Sequence, residues 1–461
     1  MNFIVIISDT LRRDHLGLYG NKWISTPHLD RFAERCVICD HAYTGSFPTI
    51  PHRTDVMTGQ YCFTYTDWAP LARDSVVLSQ VLGDAGYLTY MIVDTPHMIR
   101  DGSYFDRGFT GWQWIRGQEN DRYMTSPADV EFPCSPDKLR AATRNVARHM
   151  RNTSLRQHEE DYFAPKTMRT AEQWLERNYR QKPFFLYVDT FDPHEPWDPP
   201  RYYADMYDLG YEGEEVTYPV YGPATYLTQA ELKHMRALYA GEVTMVDRAV
   251  GRLLQKIEDL GLFEDTVIIF TTDHGFYLGE HNLTGKVVML YDEVCHVPFM
   301  VHMPGGAGAR RSSALVQAPD IMATLVELAG ADDPGTMHGK SLAPLLKGDD
   351  RALREVAVSS WAIIHEPKEA PPVARDFYEW FEQARGLKPS TVNDGEWALI
   401  CGAQDVEPEL YHLLSDPTQE RNVFAEHKDE AKRLHAAYVE LLESVGTKDD
   451  FVARRRELPG A

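Results

Sequence analysis

Basic residues are scarce in this chain: 47 Lys and Arg stand against 69 Asp and Glu, a net charge of -22. That deficit excludes the basic footprint a nucleic-acid binder needs. It also repels anionic ligands at long range, so an anion site here has to depend on local cations or a metal. Long apolar runs are missing too, and no stretch is long enough to cross a bilayer. Cysteine is sparse. Cys36, Cys39, Cys62, Cys134, Cys295 and Cys401 are the only six in 461 residues, which is no disulfide framework. Cys36 and Cys39 form a C-x-x-C without a second pair to complete a zinc site, and read as semi-buried thiols. Repeats and low-complexity tracts are absent. The opening MNFIVIISDT has neither a basic start nor a small-residue cleavage site. It reads as a buried strand, and the expectation is a cytoplasmic protein.

What is present is an alternation of strands and helices. Continuous apolar runs at 3–8, 88–93, 183–188 and 266–271 are rich in β-branched and aromatic residues, as strands buried on both faces require. Helical patterns at 76–85 and 229–260 lie between them, the second with Thr228 as N-cap and Gly261 as stop. This predicts an α/β fold with a parallel or mixed sheet, whose ligand lies beyond the carboxyl ends of the strands. Each of the four runs leads into an acid, Asp9, Asp94, Asp189 or Asp273, which predicts that some of these converge. Short strands at 356–364, 397–400 and 410–413 and a helix at 426–445 predict a small C-terminal α+β subdomain over 346–461, after a catalytic domain over 1–345. Residues 366–372 are proline-rich and read as a loop. Residues 104–165, polar and weakly periodic, read as an insertion covering the active face.

The segment Thr49-Ile50-Pro51-His52-Arg53, followed by Thr58-Gly59, resembles the C/S-x-P-S/A-R…T-G element of sulfatases and phosphonate monoester hydrolases, within the alkaline phosphatase superfamily. Six further elements follow in family order: Asp9 with Asp14-His15-Leu16-Gly17, Thr26-Pro27-His28-Leu29-Asp30, Asp192-Pro193-His194-Glu195-Pro196-Trp197, Asp273-His274-Gly275 through Gly285-Lys286, Val297-Pro298, and Glu409-Leu410-Tyr411 through Asn422. The resemblance covers nearly the whole chain. It implies an alkaline-phosphatase-like mixed sheet flanked by helices, with Thr49 as nucleophile at a helix start, where free N–H groups and the helix dipole favour an anion. It further implies a metal held by Asp9, Thr49, Asp273 and His274, with Arg53 holding nucleophile and metal. Arg53 and Lys286 would supply fixed positive charge to the substrate, and His194 would contact the substrate or protonate its leaving group. Read alone, Asp9 is equally a helix cap, Thr49 an N-cap, His194 a packed loop residue and Lys286 a solvated one.

The departures from the family pattern carry information. Thr10 stands where sulfatases usually have a second Asp, and His274 where calcium sulfatases have Asn. One carboxylate fewer and one imidazole more moves the preference from calcium to a divalent transition metal, Zn, Mn or Fe, with at least one ion. Residues 93–97 replace the family's G-K-W-H and leave His97 as the substitute anion binder. His338-Gly339 resembles the metal-binding His-Gly of two-metal members, so Asp189, His194 and His338 form a candidate second metal site. His52 has no family counterpart as a ligand.

Formylglycine is made from Cys or Ser, and the extra methyl of Thr49 would yield a ketone, so no formylglycine is expected. An unmodified Thr resembles the nucleotide pyrophosphatase/phosphodiesterase branch. A Thr ester must be cleared by a second attack at the central atom, which favours phosphorus over sulfur. The leading expectation is a metal-dependent hydrolase of phosphodiesters or phosphonate monoesters acting through a covalent Thr49 intermediate. A sulfuric-ester hydrolase with unmodified Thr, a phosphomonoesterase or phosphotransferase, and a catalytically dead binding protein are the alternatives. A small anionic ester is the expected partner, with no membrane and no nucleic acid, and homo-oligomerisation is left open.

Overall fold

The computed structural model describes residues 1–126, 129–349, 351–364, 389–403 and 406–461. The proline-rich loop expected at 366–372 lies outside the described residues. Strands run in chain order as β1 (Asn2–Ser8), β2 (Val37–Tyr43), β3 (Leu88–Val93), β4 (Gly111–Trp114), β5 (Phe184–Thr190), β6 (Gly222–Pro223), β7 (Thr266–Thr271), β8 (Tyr277–Leu278), β9 (Leu283–Gly285), β10 (Phe299–His302), β11 (Arg310–Gln317), β12 (Ala357–Ser360), β13 (Ser390–Asn393), β14 (Trp397–Cys401) and β15 (Glu409–His412). Eight of them form one mixed sheet in the order β11-β2-β10-β7-β1-β5-β3-β4, in which β10 runs antiparallel to both its neighbours and all the other pairs are parallel.

β1 shows why its run is apolar throughout. Ile4 and Ile6 point into a core shared with helices Phe163–Asn178 and Gln229–Asp259. Phe3, Val5 and Ile7 point into a second core with helices Thr49–Thr58, Leu78–Asp84 and Pro319–Ala329. Successive side chains alternate faces, so a strand covered on both sides must be apolar at every position. The long helix starts at Thr228 with a capping box: Glu231 N–H donates to Thr228 Oγ1 at 3.2 Å and Thr228 N–H to Glu231 Oε2 at 2.8 Å. It stops before Gly261, whose φ of 68° is left-handed.

One expectation needs correction. Residues 104–165 are not only an insertion, because β4 lies inside them and forms the edge of the main sheet beside β3. The expectation that some of the four strand-end acids converge holds for Asp9, Asp189 and Asp273, which meet around Arg53, while Asp94 stands apart. Asp94 accepts from Thr167 Oγ1 at 2.7 Å, Thr190 Oγ1 at 2.9 Å and Phe191 N–H at 2.5 Å, and so secures the chain after β5.

The C-terminal part is an antiparallel sheet, β12-β13-β14-β15, packed on helix Lys428–Ser444. It joins the catalytic part at the loop before Thr49. Phe47 N–H donates to Ser360 O at 2.8 Å, and Ser360 N–H to Gly45 O at 3.0 Å. Trp361 packs edge-on against Phe47, which in turn packs against His274. All six cysteines are buried, with no disulfide among the described residues.

Candidate active site

Parallel register builds the site. Ile7 pairs with Thr271 on one side and with Asp189 on the other. Asp9 and Asp273 follow two residues beyond the first pair, so the carboxyl ends of β1, β5 and β7 bring three acids to one edge of the sheet. Asp9, Asp273 and His274 offer ligand atoms that all lie within 4.8 Å of one another, and all three are buried. No other such group of His, Cys, Asp or Glu occurs among the described residues.

The neighbours of these residues fix one oxygen of each carboxylate and one nitrogen of the imidazole. Thr10 Oγ1 donates to Asp9 Oδ1 at 2.7 Å, while Asp9 Oδ2 is buried without a hydrogen bond among the described residues. Asp273 Oδ1 accepts from Thr10 N–H at 2.9 Å and His274 N–H at 2.8 Å. Gly275 O lies 2.9 Å from His274 Nδ1, so Nδ1 carries the proton and Nε2 keeps its lone pair. Burial pushes His274 down to about 3, which keeps it a neutral ligand. Burial and the facing Asp273 push Asp9 well above the usual carboxylate range. A bound cation would reverse that shift. These donors fit a divalent ion. Thr10, the departure from the family pattern, holds both carboxylates from a left-handed backbone at φ 61°, strained for a β-branched residue.

Thr49 opens the ten-residue helix Thr49–Thr58, every residue of which is buried. Its Oγ1 lies 3.4 Å from His274 Nε2. Arg53 is one turn further along the same face. Its guanidinium meets three carboxylates instead of standing free. Nε and Nη2 donate to Asp189 at 3.1 and 3.0 Å, Nη1 contacts Asp273, and Nη1 lies 3.0 Å from Asp9 Oδ2. Against the cost of burial, Arg53 holds Asp273 well below its ordinary range. Arg53 therefore neutralises and orders the acids that face the ion.

The proposed second metal group is not assembled. Asp189 is saturated by Arg53, by Tyr187 Oη at 2.9 Å and by Thr95 Oγ1 at 2.6 Å. His338 Nδ1 accepts from Tyr61 N–H at 3.0 Å. His194 lies elsewhere, stacked on Phe191 at 3.8 Å. His97 is equally committed, with Nε2 3.0 Å from Glu119 Oε2 and Nδ1 3.3 Å from Arg100 Nη2. Both its nitrogens are used, so it does not replace the family's lysine as a free anion binder.

His194 Nδ1 lies 2.5 Å from Glu195 O, so its Nε2 keeps the lone pair. Burial and then Lys286 push His194 well below its ordinary range. Lys286, only 5% exposed, stands 4.0 Å from Glu195 Oε2 and also acts electrostatically on Asp9 and His274. Sequence reasoning gave no role to Glu195 and missed Glu119 and Arg140, which act on His194, and Tyr218 and Tyr221, which bond to Glu119 and Glu195. Glu119 and Arg140 fall in the segment 104–165 that matched no family motif, and no sequence signal singled them out.

A family model described as Sulfatase matches residues 1–331. The chain belongs to the sulfatase family. A second model, the N-sulphoglucosamine sulphohydrolase C-terminal region, matches residues 279–445. This sulfatase-family chain is 25% identical over 431 residues to an arylsulfatase of Clostridium perfringens, covering 83% of this chain and 86% of that protein. It is 24% identical over 411 residues to the multifunctional alkaline phosphatase superfamily protein PehA of Trinickia caryophylli, covering 75% and 77%. The crystal structure of phosphonate monoester hydrolase of Agrobacterium radiobacter superposes with a TM-score of 0.73 at 22% identity, over 96% of this chain and 95% of that one. The fold class read from the sequence is thereby established, as is membership of a family of hydrolytic enzymes.

Proposed function

We propose that this sulfatase-family enzyme hydrolyses phosphodiesters or phosphonate monoesters through a covalent ester on Thr49. The observation that carries the reading is the position of the Thr49 hydroxyl, at the start of a buried helix, 3.4 Å from His274 Nε2. Asp9, Asp273, His274 and Thr49 would hold a transition-metal ion, which when bound would supply the positive charge that lowers the hydroxyl pKa. Thr49 Oγ1 bonds to phosphorus as the bond to the leaving oxygen breaks. The Thr49 hydroxyl proton passes to solvent, and His194 Nε2, the nitrogen left free by the Nδ1 contact with Glu195 O, takes a proton from solvent and delivers it to the leaving oxygen. Lys286 balances charge on the non-bridging oxygens. Water then attacks phosphorus, and Thr49 leaves with its proton restored. Arg53 touches none of these atoms and acts as a positioning residue.

Peptide mass spectrometry after quenching during turnover tests this. An unmodified Thr49 at rest and a phosphoryl or phosphonyl adduct on it during turnover are expected. A loss of two hydrogens at Thr49 would sink the proposal.

A second reading, sulfuric-ester hydrolysis by the same unmodified Thr49, is favoured by the arylsulfatase similarity. A panel of matched esters separates the two. Faster turnover of the sulfate ester than of the phosphodiester or phosphonate selects the second.

A further inference from the structure

Glu195 follows His194 directly and is fully buried, at 0% exposure. Its Oε1 accepts from Arg140 Nη2 at 3.1 Å and from Tyr221 Oη. Arg140 is stacked over the rings of Tyr218 and Tyr221, at 4.5 and 4.1 Å from their centroids. Oε2 has no hydrogen bond among the described residues. It stands 3.2 Å from His194 Nδ1 and 4.0 Å from Lys286 Nζ. A buried carboxylate oxygen without a donor is costly, and a packed core would not retain it without return. The two groups it faces are the two that the proposed reaction assigns to the leaving oxygen and the non-bridging oxygens.

We propose that Glu195 is a positioning residue for the hydrolysis, acting through His194 and Lys286. Its Oε2 stabilises the positive charge on the His194 imidazole while that ring carries the proton, and holds Lys286 beside it. Arg140 and Tyr221 fix Oε1, so the carboxylate cannot turn away. Glu119, Arg140 and Lys286 are the other charged groups acting on His194. Two of these, Glu119 and Arg140, come from the 104–165 segment, so that segment completes the support of the proton carrier. Because Nδ1 also lies against Glu195 O, the tautomer survives loss of the side-chain charge, and the carboxylate's contribution is electrostatic.

This inference rests on the proposed role of His194, and its test is chosen to be independent of whether phosphorus or sulfur is attacked. Glu195→Gln keeps an oxygen acceptor for Arg140 and removes the charge. Wild type and variant are compared on two esters of the acid the wild type hydrolyses fastest, one with a good and one with a poor leaving group. Expected is a fall in kcat of about 10- to 100-fold on the poor leaving group, with a loss of at most about 3-fold on the good one and a nearly constant KM. Equal losses on both esters, a change confined to KM, or no loss would overturn the proposal. Should Glu195→Gln fail to fold, Tyr221→Phe removes one donor to Oε1 and should give the same leaving-group pattern at smaller size. A flat response of Tyr221→Phe would overturn it as well. If the wild type prefers a sulfate ester, the phosphorus reading fails while the Glu195 comparison still runs.

Discussion

Thr49 Oγ1 and His274 Nε2 lie 3.4 Å apart, although 225 residues separate them in the chain. That contact joins the start of a buried helix to the end of β7 and places the hydroxyl at the group formed by Asp9, Asp273 and His274. Thr49→Ala should fold and be nearly inactive. Thr49→Ser keeps the hydroxyl, loses only the methyl, and should retain partial activity. The enzyme made in a host without a formylglycine-generating system should be fully active. Full activity in Thr49→Ala would move the chemistry to a water nucleophile.

The donor set predicts one tightly held transition metal per chain. Elemental analysis after gentle purification should find it, and chelation should lower both activity and Tm, since an ion that binds only the folded state stabilises it. His274→Ala should lose metal without losing the fold. Calcium alone, or no metal, would contradict the prediction.

Arg53 separates three buried acids. Removing it leaves Asp9, Asp189 and Asp273 without their shared cation, and Arg53→Ala should cost about 3–5 kcal/mol of stability. It should also lower kcat/KM by a factor on the order of 10², as loss of a preorganised charge contact does. Arg53→Lys keeps the charge but not the fork that spans Asp189, and should fall between. Denaturant melts read alongside kinetics check both parts. Normal melts for Arg53→Ala would remove the structural role assigned here.

His194→Ala should cost about 10²- to 10⁴-fold in kcat on esters with poor leaving groups and much less on those with good ones. Equal losses across the series would leave His194 with a binding role only.

His338 gives a pH signature away from the reacting atoms. Burial, with help from Lys340, pushes it from 6.5 down to about 4. Between those values the unfolded chain binds a proton that the folded chain refuses, so stability rises with pH across that window and is lost as pH falls through 4. Protonation of Nδ1 also breaks the bond from Tyr61 N–H. Thermal melts from acid to neutral pH should show a shallower slope in His338→Gln than in the wild type. Identical slopes would remove His338 as a contributor.

Part of this protein was determined by the sequence alone. β3 and β7 occupy the predicted residues 88–93 and 266–271, and the long helix has its predicted cap and stop, because apolar runs, capping chemistry and glycine act locally. The order of the family motifs likewise brought out Asp9, Thr49, Arg53, Asp273 and His274, since Asp9, Asp273 and His274 follow strand ends, Thr49 opens a helix and Arg53 lies one turn along it. Tertiary structure decided the rest. Only strand register shows that Asp9, Asp189 and Asp273 meet and that Asp94 does not. Only packing shows that Arg53 is enclosed by carboxylates, that His97 is taken by Glu119 and that His338 turns to Tyr61. β4 was hidden because an edge strand of four residues with two exposed positions leaves too little apolar pattern to read. Glu195, Arg140 and Glu119 were hidden for a different reason. A buried charge is specified by its partners in space, and those partners come from segments of chain that carry no common local signal.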